Sequence, residues 1–123
     1  MQLQERIVGG VAIIDVVGPM VRDEAEPVVL LTRLQALLGQ GRIHILVNVA
    51  DVAHVDSLWL GALVQGYSSA VRRGGTLKLL HVTRRLRELL TVTRLDRVLE
   101  SFDTEEAAVA SVGPTVVDGR AAS

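Results

Sequence analysis

The first two strand-like runs of the chain predict a β-hairpin. They are residues 3–8 and 11–17, and they flank Gly9 and Gly10. A two-residue glycine connection suits a tight hairpin because both positions can take positive φ. We therefore expect two antiparallel strands at the start of the fold.

Leucines at the spacing of one helix face predict the next element. They are Leu30, Leu31, Leu34, Leu37 and Leu38. Gly39 and Gly41 are expected to end this helix. Two starting points are open, a capping box formed by Asp23 and Glu26 or a first helical turn that begins at Pro27.

A central stretch then passes from a buried strand into a helix. Residues 43–49 are almost continuously apolar, which is typical of a strand covered on both faces. A helical pattern begins near Leu58 and is expected to end at Gly74 and Gly75. The residues predicted to face the core are Leu60, Leu63, Val64, Tyr67 and Val71.

Shorter elements follow in the last third of the chain. Residues 76–82 read as a strand, and Thr83 is expected to cap a short helix with Leu86, Leu89 and Leu90 inward. Residues 97–102 indicate a weaker strand. Asp103 and Glu106 match a capping box for a final helix.

This alternation predicts an α/β fold, a mixed four- to five-stranded β-sheet with about four α-helices. Crossovers between parallel strands are right-handed by default. With 123 residues and 49% apolar content, the chain is expected to form one domain over residues 1–113, with a flexible tail at 114–123.

Composition narrows the function classes. The chain has no cysteine, so disulfides and thiolate metal sites are excluded. No apolar segment has the length of a membrane span, and the charged N-terminus does not resemble a signal peptide, so we expect a cytoplasmic protein. The net charge of −1 gives no overall bias toward polyanions.

Basic residues are nevertheless concentrated in one segment, Arg72–Arg97. The segment contains two acidic residues, Glu88 and Asp96, and eight basic ones: Arg72, Arg73, Lys78, Arg84, Arg85, Arg87, Arg94 and Arg97. The segment is either a solvated surface, the favoured interpretation, or a face for an acidic partner, a lipid headgroup or nucleic acid. With three aromatic residues in the chain, no base-stacking platform and no direct nucleic-acid binding are expected.

Asp56 and Ser57 occupy the junction between the central strand and its helix. Ser57 is expected to be the N-cap, because its hydroxyl can accept a free backbone N–H of the first turn. The same position suits phosphorylation, since a helix N-terminus favours negative charge. The two interpretations are compatible.

Other chemistry is disfavoured. Gly61 and Gly66 have a phosphate-loop spacing but lack the lysine and lie within a helix. His44, His54 and His81 have no carboxylate at ligand spacing, so no metal and no cofactor are expected. His54, Asp56 and Ser57 contain the residue types of a hydrolase triad but not the nucleophile-elbow pattern, so an enzyme is not expected.

Leu58 and Trp59 lie beside Ser57 in the first helical turn. Trp59 either covers the edge of the sheet or is exposed. An exposed Trp-Leu pair next to a switchable serine would form a protein-docking surface.

Three segments together resemble the STAS domain family. Within this family, the resemblance is to the single-domain anti-sigma factor antagonists of bacteria. The segments are the stretch 43–63, the pair Gly74 and Gly75, and residues 91–95 (Thr-Val-Thr-Arg-Leu), and the likeness extends from about Val8 to Val112. The family signature is Asp-Ser-(Ser/Thr)-Gly-Leu-Gly. Asp56, Ser57, Leu60 and Gly61 match it, whereas Leu58 and Trp59 replace the small hydroxyl residue and the glycine; the N-terminal Gly-x-Leu-Asp pattern is reduced to Gly-Pro-Met-Val at 18–21.

The resemblance implies a phosphorylation switch. In that family the unphosphorylated antagonist binds an anti-sigma factor, which frees a sigma factor, and the anti-sigma factor is a GHKL-type serine kinase that phosphorylates the serine after the aspartate, here Ser57. A serine phosphatase restores binding. The partner-binding residues implied are Asp56, Ser57, Leu58, Trp59 and Gly61.

Related STAS proteins imply an alternative function, a non-switching scaffold or a transporter-associated subunit that acts through protein–protein contacts. The alternative was motivated by Trp59 in place of glycine. Neither function decides whether the chain dimerises.

Overall fold

The computed structural model describes residues 2–17, 25–52 and 56–112 of the chain. Its elements are β1 (Gln2–Val8), β2 (Val11–Val17), α1 (Ala25–Gly39), β3 (His44–Asn48), α2 (Ser57–Arg72), β4 (Thr76–Leu80), α3 (Arg84–Val92), a 3₁₀ turn (Leu95–Arg97), β5 (Ser101–Phe102) and α4 (Glu105–Val112). The strands form one sheet in the order β1-β2-β3-β4-β5. β1 pairs with β2 antiparallel and the other neighbours pair parallel. The predicted α/β fold with a mixed sheet and four helices is confirmed.

The hairpin is confirmed in register as well as in position. Val8 pairs with Val11, and the two residues between them, Gly9 and Gly10, have φ values of 56° and 80°. Only glycine takes two successive positive φ values without a steric cost, and this geometry matches the twist of the two strands.

The sheet is covered on both faces. Side chains alternate along each strand, so one face of β2, β3 and β4 packs against the leucines of α1, α2 and α3, while the other packs against α4 through Ala108. In β3 the consecutive residues Ile45, Leu46 and Val47 are all fully buried. The prediction of a central strand covered on both faces is thus confirmed.

The core face of α2 differs from the prediction at Val71, which is 48% exposed. Leu60 and Leu63 are buried as predicted. The buried stripe runs through Trp59, Leu63, Gly66 and Ala70, at intervals of four, three and four residues. Small residues occupy its C-terminal half because α2 lies close to its neighbours there. A Cβ on Gly66 would stand 2.7 Å from Leu34 Cδ1. The pattern of large apolar side chains does not predict this contact, because Gly66 has no side chain.

Two predictions near the C-terminus are also corrected. The last strand is only two residues long, Ser101–Phe102, because the preceding residues Leu95–Arg97 form a 3₁₀ turn. The final helix is capped by Thr104, whose Oγ1 accepts the N–H of Ala107 at 3.1 Å, and not by Asp103. The predicted cap of α3 is confirmed, since Thr83 Oγ1 accepts the N–H of Leu86.

Of the two starts left open for α1, the capping box at Asp23 lies outside the described residues, and the helix begins at Ala25, two residues before Pro27. The tail predicted at 114–123 also lies outside the described residues. Over the described part of the chain, no helix combines the length and apolar character needed to cross a bilayer.

Candidate functional site

Ser57 is the first residue of α2 and its side chain is exposed. It follows β3 at the carboxyl end of that strand, after a connection of which residues 49–52 and 56 are described. The expected placement of an accessible hydroxyl at a strand-to-helix junction is confirmed.

The capping role predicted for Ser57 belongs to Asp56. Asp56 has an extended backbone with φ −131°, and its Oδ1 accepts the N–H groups of Leu58 and Trp59, both at 3.1 Å. Aspartate is a strong N-cap, and its carboxylate also complements the positive end of the helix dipole. The cap therefore lies one residue earlier than expected, which leaves the hydroxyl of Ser57 without a capping function.

This arrangement changes the electrostatics expected for a phosphate at Ser57. Two backbone N–H groups of the first turn already donate to the Asp56 carboxylate, so the helix terminus is less available to a second anion. A phosphate on Ser57 would also lie next to the negative charge of Asp56 and repel it. The phosphate would therefore interact with solvent or with a partner bound at the start of α2.

Leu58 and Trp59 have opposite environments. Leu58 is 49% exposed, whereas Trp59 is 5% exposed and belongs to the main core. Successive helical residues point about 100° apart, so one of the pair can face solvent while the other packs inward. Of the two roles left open for Trp59, the structural one applies: its ring is part of the core and is not available as an exposed docking residue.

An apolar groove lies between the first turns of α1 and α2. It encloses about 230 Å³ and is lined by Pro27, Val28, Leu31, Ser57, Leu58, Gly61, Ala62 and Gln65. Val28 and Leu58 are large exposed apolar residues on its walls. Because Gly61 has no side chain and nothing lies within 4 Å of the space a Cβ would occupy, the groove stays open beside Ser57.

A polar cluster behind the site was missed by the sequence analysis. Asn48, the last residue of β3, donates Nδ2–H to Asp15 Oδ1 at 2.8 Å and accepts the N–H of Ala50 on Oδ1 at 3.1 Å. Asp15 is only 8% exposed and also accepts from Arg6 Nε at 2.6 Å. The cluster thereby ties the start of the connection to α2 to the sheet. The available signal was a lone aspartate within the apolar run of β2.

The cluster perturbs both of its ionised members. Hydrogen bonds from the Arg6 guanidinium hold the pKa of Asp15 below its usual value, with Asn48 adding to the effect, while burial opposes it. The same contact with Asp15, together with Glu105 at 2.9 Å, raises the pKa of Arg6. Asp15 is therefore a stably ionised carboxylate that links β2 to β1 through Arg6 and to β3 through Asn48.

The histidines show no metal-binding arrangement in the described part of the chain. His44 Nδ1 lies 3.2 Å from Thr76 Oγ1, and burial lowers the pKa of His44. His81 is exposed, and His54 lies outside the described residues. Across residues 2–17, 25–52 and 56–112, no three His, Asp or Glu side chains converge on a possible ion.

Comparison with known proteins identifies the class. The family model described as "Mlab, STAS domain" matches residues 3–100. The chain belongs to the STAS domain family.

Individual relatives agree with this assignment. A candidate anti-sigma factor antagonist of Thermotoga neapolitana is 33% identical over 75 residues, which span 61% of this chain and 66% of that protein, slightly less than two thirds of its length. The crystal structure of a candidate anti-sigma factor antagonist from Thermotoga maritima superposes with a TM-score of 0.80 at 25% identity, over 89% of this chain and 93% of that one. The Bacillus cell fate determinant SpoIIAA in its phosphorylated form shares the fold, with a TM-score of 0.70 at 18% identity over 90% of this chain and 99% of that one.

Proposed function

We propose that this protein is an anti-sigma factor antagonist. It binds an anti-sigma factor that is also a serine kinase, thereby releases a sigma factor, and is switched off when the kinase phosphorylates Ser57. A serine phosphatase reverses the modification. The proposal assigns binding and not catalysis to this chain.

The observation that carries the proposal is the exposure of Ser57 directly after Asp56 at the start of α2. A kinase needs an accessible hydroxyl, and this one takes no part in capping the helix. The relatives from the two Thermotoga species, which are named as candidate anti-sigma factor antagonists, support the same function.

The groove beside Ser57 explains how a phosphate would act. Its walls are mainly apolar, with Val28 and Leu58 exposed, so a partner side chain that enters it leaves water. A phosphate adds about −1.5 to −2 charges at the rim of that contact. Burying such a charge under the partner without a compensating cation is costly, whereas in the free protein the phosphate on the exposed Ser57 would remain solvated. Phosphorylation should therefore block binding without unfolding the domain.

Leu58 favours a second candidate, a STAS scaffold without a switch. Where the family signature has a small hydroxyl residue, this chain places an exposed apolar side chain, which can support a contact that does not depend on Ser57. Asp56 already supplies a negative charge at the same corner. In this case the partner would bind whether or not Ser57 carried a charge.

Binding measurements on two variants separate the candidates. We expect Ser57→Asp to weaken binding to an anti-sigma factor that is a serine kinase, and Ser57→Ala to retain it, while both variants melt near the temperature of the parent protein. Calorimetric titration provides the affinities. Equal affinities for all three proteins would contradict the switch, and binding to no anti-sigma factor would refute the antagonist and leave the scaffold.

A further inference from the structure

Helix α3 separates apolar from basic side chains. Leu86 and Leu90 are buried in the main core, whereas Arg84, Arg85 and Arg87 are exposed. Arg84, Arg87, Glu88 and Thr91 follow one another at i, i+3, i+4 and i+7, the spacing of a single helix face. One side of α3 therefore holds it to the domain and the other presents positive charge.

The charges on this side are poorly compensated within the described residues. Arg87 has one long and exposed ion pair, to Asp103 at 3.8 Å, and Arg84 and Arg85 form none. The following turn adds Arg94 and Arg97, both exposed and also without an ion pair in the described part of the chain. Residues 84–97 contain five arginines and two carboxylates, so this segment has a net charge of +3, whereas the whole chain has a net charge of −1.

An apolar spot lies among these arginines. Val92 is 80% exposed, and it lines a shallow cavity of about 410 Å³ together with Arg84, Arg87, Glu88 and Thr91. Binding hot spots commonly combine an apolar centre with arginines around it, because the apolar contact excludes water from the ion pairs. We name this surface the arginine face: Arg84, Arg85, Arg87 and Val92.

We propose that the arginine face binds an acidic segment of another protein, one that carries an apolar side chain between carboxylates. Arginine favours such a partner because its planar guanidinium pairs with a carboxylate through two hydrogen bonds. The apolar side chain would contact Val92, and the carboxylates would contact Arg84 and Arg87. Glu88 then restricts which acidic patterns fit, because a misplaced carboxylate would meet a like charge.

The same residues argue against a nucleic acid or a membrane as the partner. A phosphate array would pass over Glu88 as well as the arginines, and nucleic-acid binding depends on neutralising many phosphates. No aromatic side chain lines the cavity, so bases have nothing to stack on. A helix that lies in a bilayer surface needs a wide apolar face exposed to lipid, whereas the leucines of α3 are in the core.

The arginine face can be tested independently of Ser57 with a defined probe. The probe is a synthetic peptide that alternates glutamate and leucine, labelled for fluorescence anisotropy, with the full-length chain as its partner. We expect Arg84→Glu combined with Arg87→Glu to weaken binding by about tenfold or more, because both contacts become repulsive. The matched control is Arg42→Glu combined with Arg72→Glu, which changes the charge equally at exposed arginines outside α3. Melting temperatures establish that both variants fold.

Each outcome decides the proposal. Binding that is lost in the α3 variant, retained in the control and weakened by salt supports it. No peptide binding, or equal loss in both variants, overturns it. Tighter binding to vesicles of phosphatidylcholine with phosphatidylglycerol, or to a short DNA duplex, would overturn it in favour of a lipid or nucleic-acid partner.

Discussion

Asp56 and Ser57 are neighbours with separate tasks. Asp56 Oδ1 closes the first turn of α2 by accepting two backbone N–H groups, so Ser57 can keep its hydroxyl exposed. Because Asp56 is the cap, the chemistry of residue 57 is separated from the stability of the fold.

This division of tasks predicts unequal effects of two adjacent substitutions. Asp56→Ala should lower the free energy of unfolding by about 0.5–2 kcal/mol, because the Leu58 and Trp59 N–H groups lose their acceptor. Ser57→Ala should change it by less than about 0.5 kcal/mol, as expected of an exposed position. Urea denaturation measures both. A larger loss for Ser57→Ala than for Asp56→Ala would place the cap at Ser57.

Asp15 predicts how stability depends on pH. Its pKa is lowered in the folded state, first by the hydrogen bonds from Arg6. A lowered pKa stabilises the fold above the unfolded value of about 3.9, and this contribution is lost as the pH falls through the folded pKa. We expect the parent protein to exceed Asp15→Asn in stability at neutral pH, and the difference to shrink below about pH 4. Urea denaturation across this range checks it, and a constant difference would contradict the account.

At the scale of elements, the contact between α1 and α2 places the groove next to Ser57. The two helices approach closely at Gly66, where a Cβ would stand 2.7 Å from Leu34 Cδ1, and they leave space at Gly61, where a Cβ would meet nothing within 4 Å. Two glycines in one helix therefore have different functions. Gly66 permits packing, and Gly61 keeps the groove open.

Alanine at these two glycines should have opposite effects on stability. Gly61→Ala should raise the free energy of unfolding by about 0.5–1 kcal/mol, because alanine is the better helix former and its methyl group fits. Gly66→Ala should lower it, because overpacking a core costs about 1–3 kcal/mol and exceeds the gain in helix propensity. Thermal melting of both variants tests this contrast, and equal shifts would show that α1 and α2 are not in close contact.

Gly61→Ala should also weaken partner binding while it stabilises the domain, since the methyl group would fill part of the groove. Stability and binding would then change in opposite directions within one variant. Unchanged affinity in this variant would show that the partner does not enter the groove.

The elements that the sequence predicted well are those set by local patterns. The glycine pair of the hairpin, the leucine face of α1 and the apolar run of β3 each specify their own structure. Contacts between distant residues were not predictable in this way. The aspartate of β2 binds an arginine of β1 and an asparagine of β3, and only the pairing of the three strands brings Arg6, Asp15 and Asn48 together.

The site was predicted in position but not in every detail. The exposure of Ser57 and Leu58 follows from the junction and from the helical pattern. The choice of Asp56 over Ser57 as cap depends on where the helix begins, a boundary that sequence patterns leave uncertain by a residue or more. The burial of Trp59 depends on the rotation of α2, whose buried stripe continues through the small residues Gly66 and Ala70.

At the scale of the whole molecule, the domain presents two separate surfaces. One is the apolar groove with Ser57 at its rim, and the other is the arginine face of α3. The core between them includes Trp59, so Trp59→Ala should destabilise the whole domain by about 3–5 kcal/mol and not test a binding contact. Leu58→Ala is the better probe of the groove, because Leu58 is exposed.

The proposed switch depends on phosphorylation of Ser57. The most direct measurement is phosphosite mapping by mass spectrometry after incubation with ATP and an anti-sigma factor kinase that binds this chain, followed by a binding assay on the modified protein. We expect a single phosphate on Ser57, no incorporation in Ser57→Ala, and release of the modified protein from the kinase. A partner that binds this chain yet leaves Ser57 unmodified, or that binds the phosphorylated protein equally well, would contradict the switch.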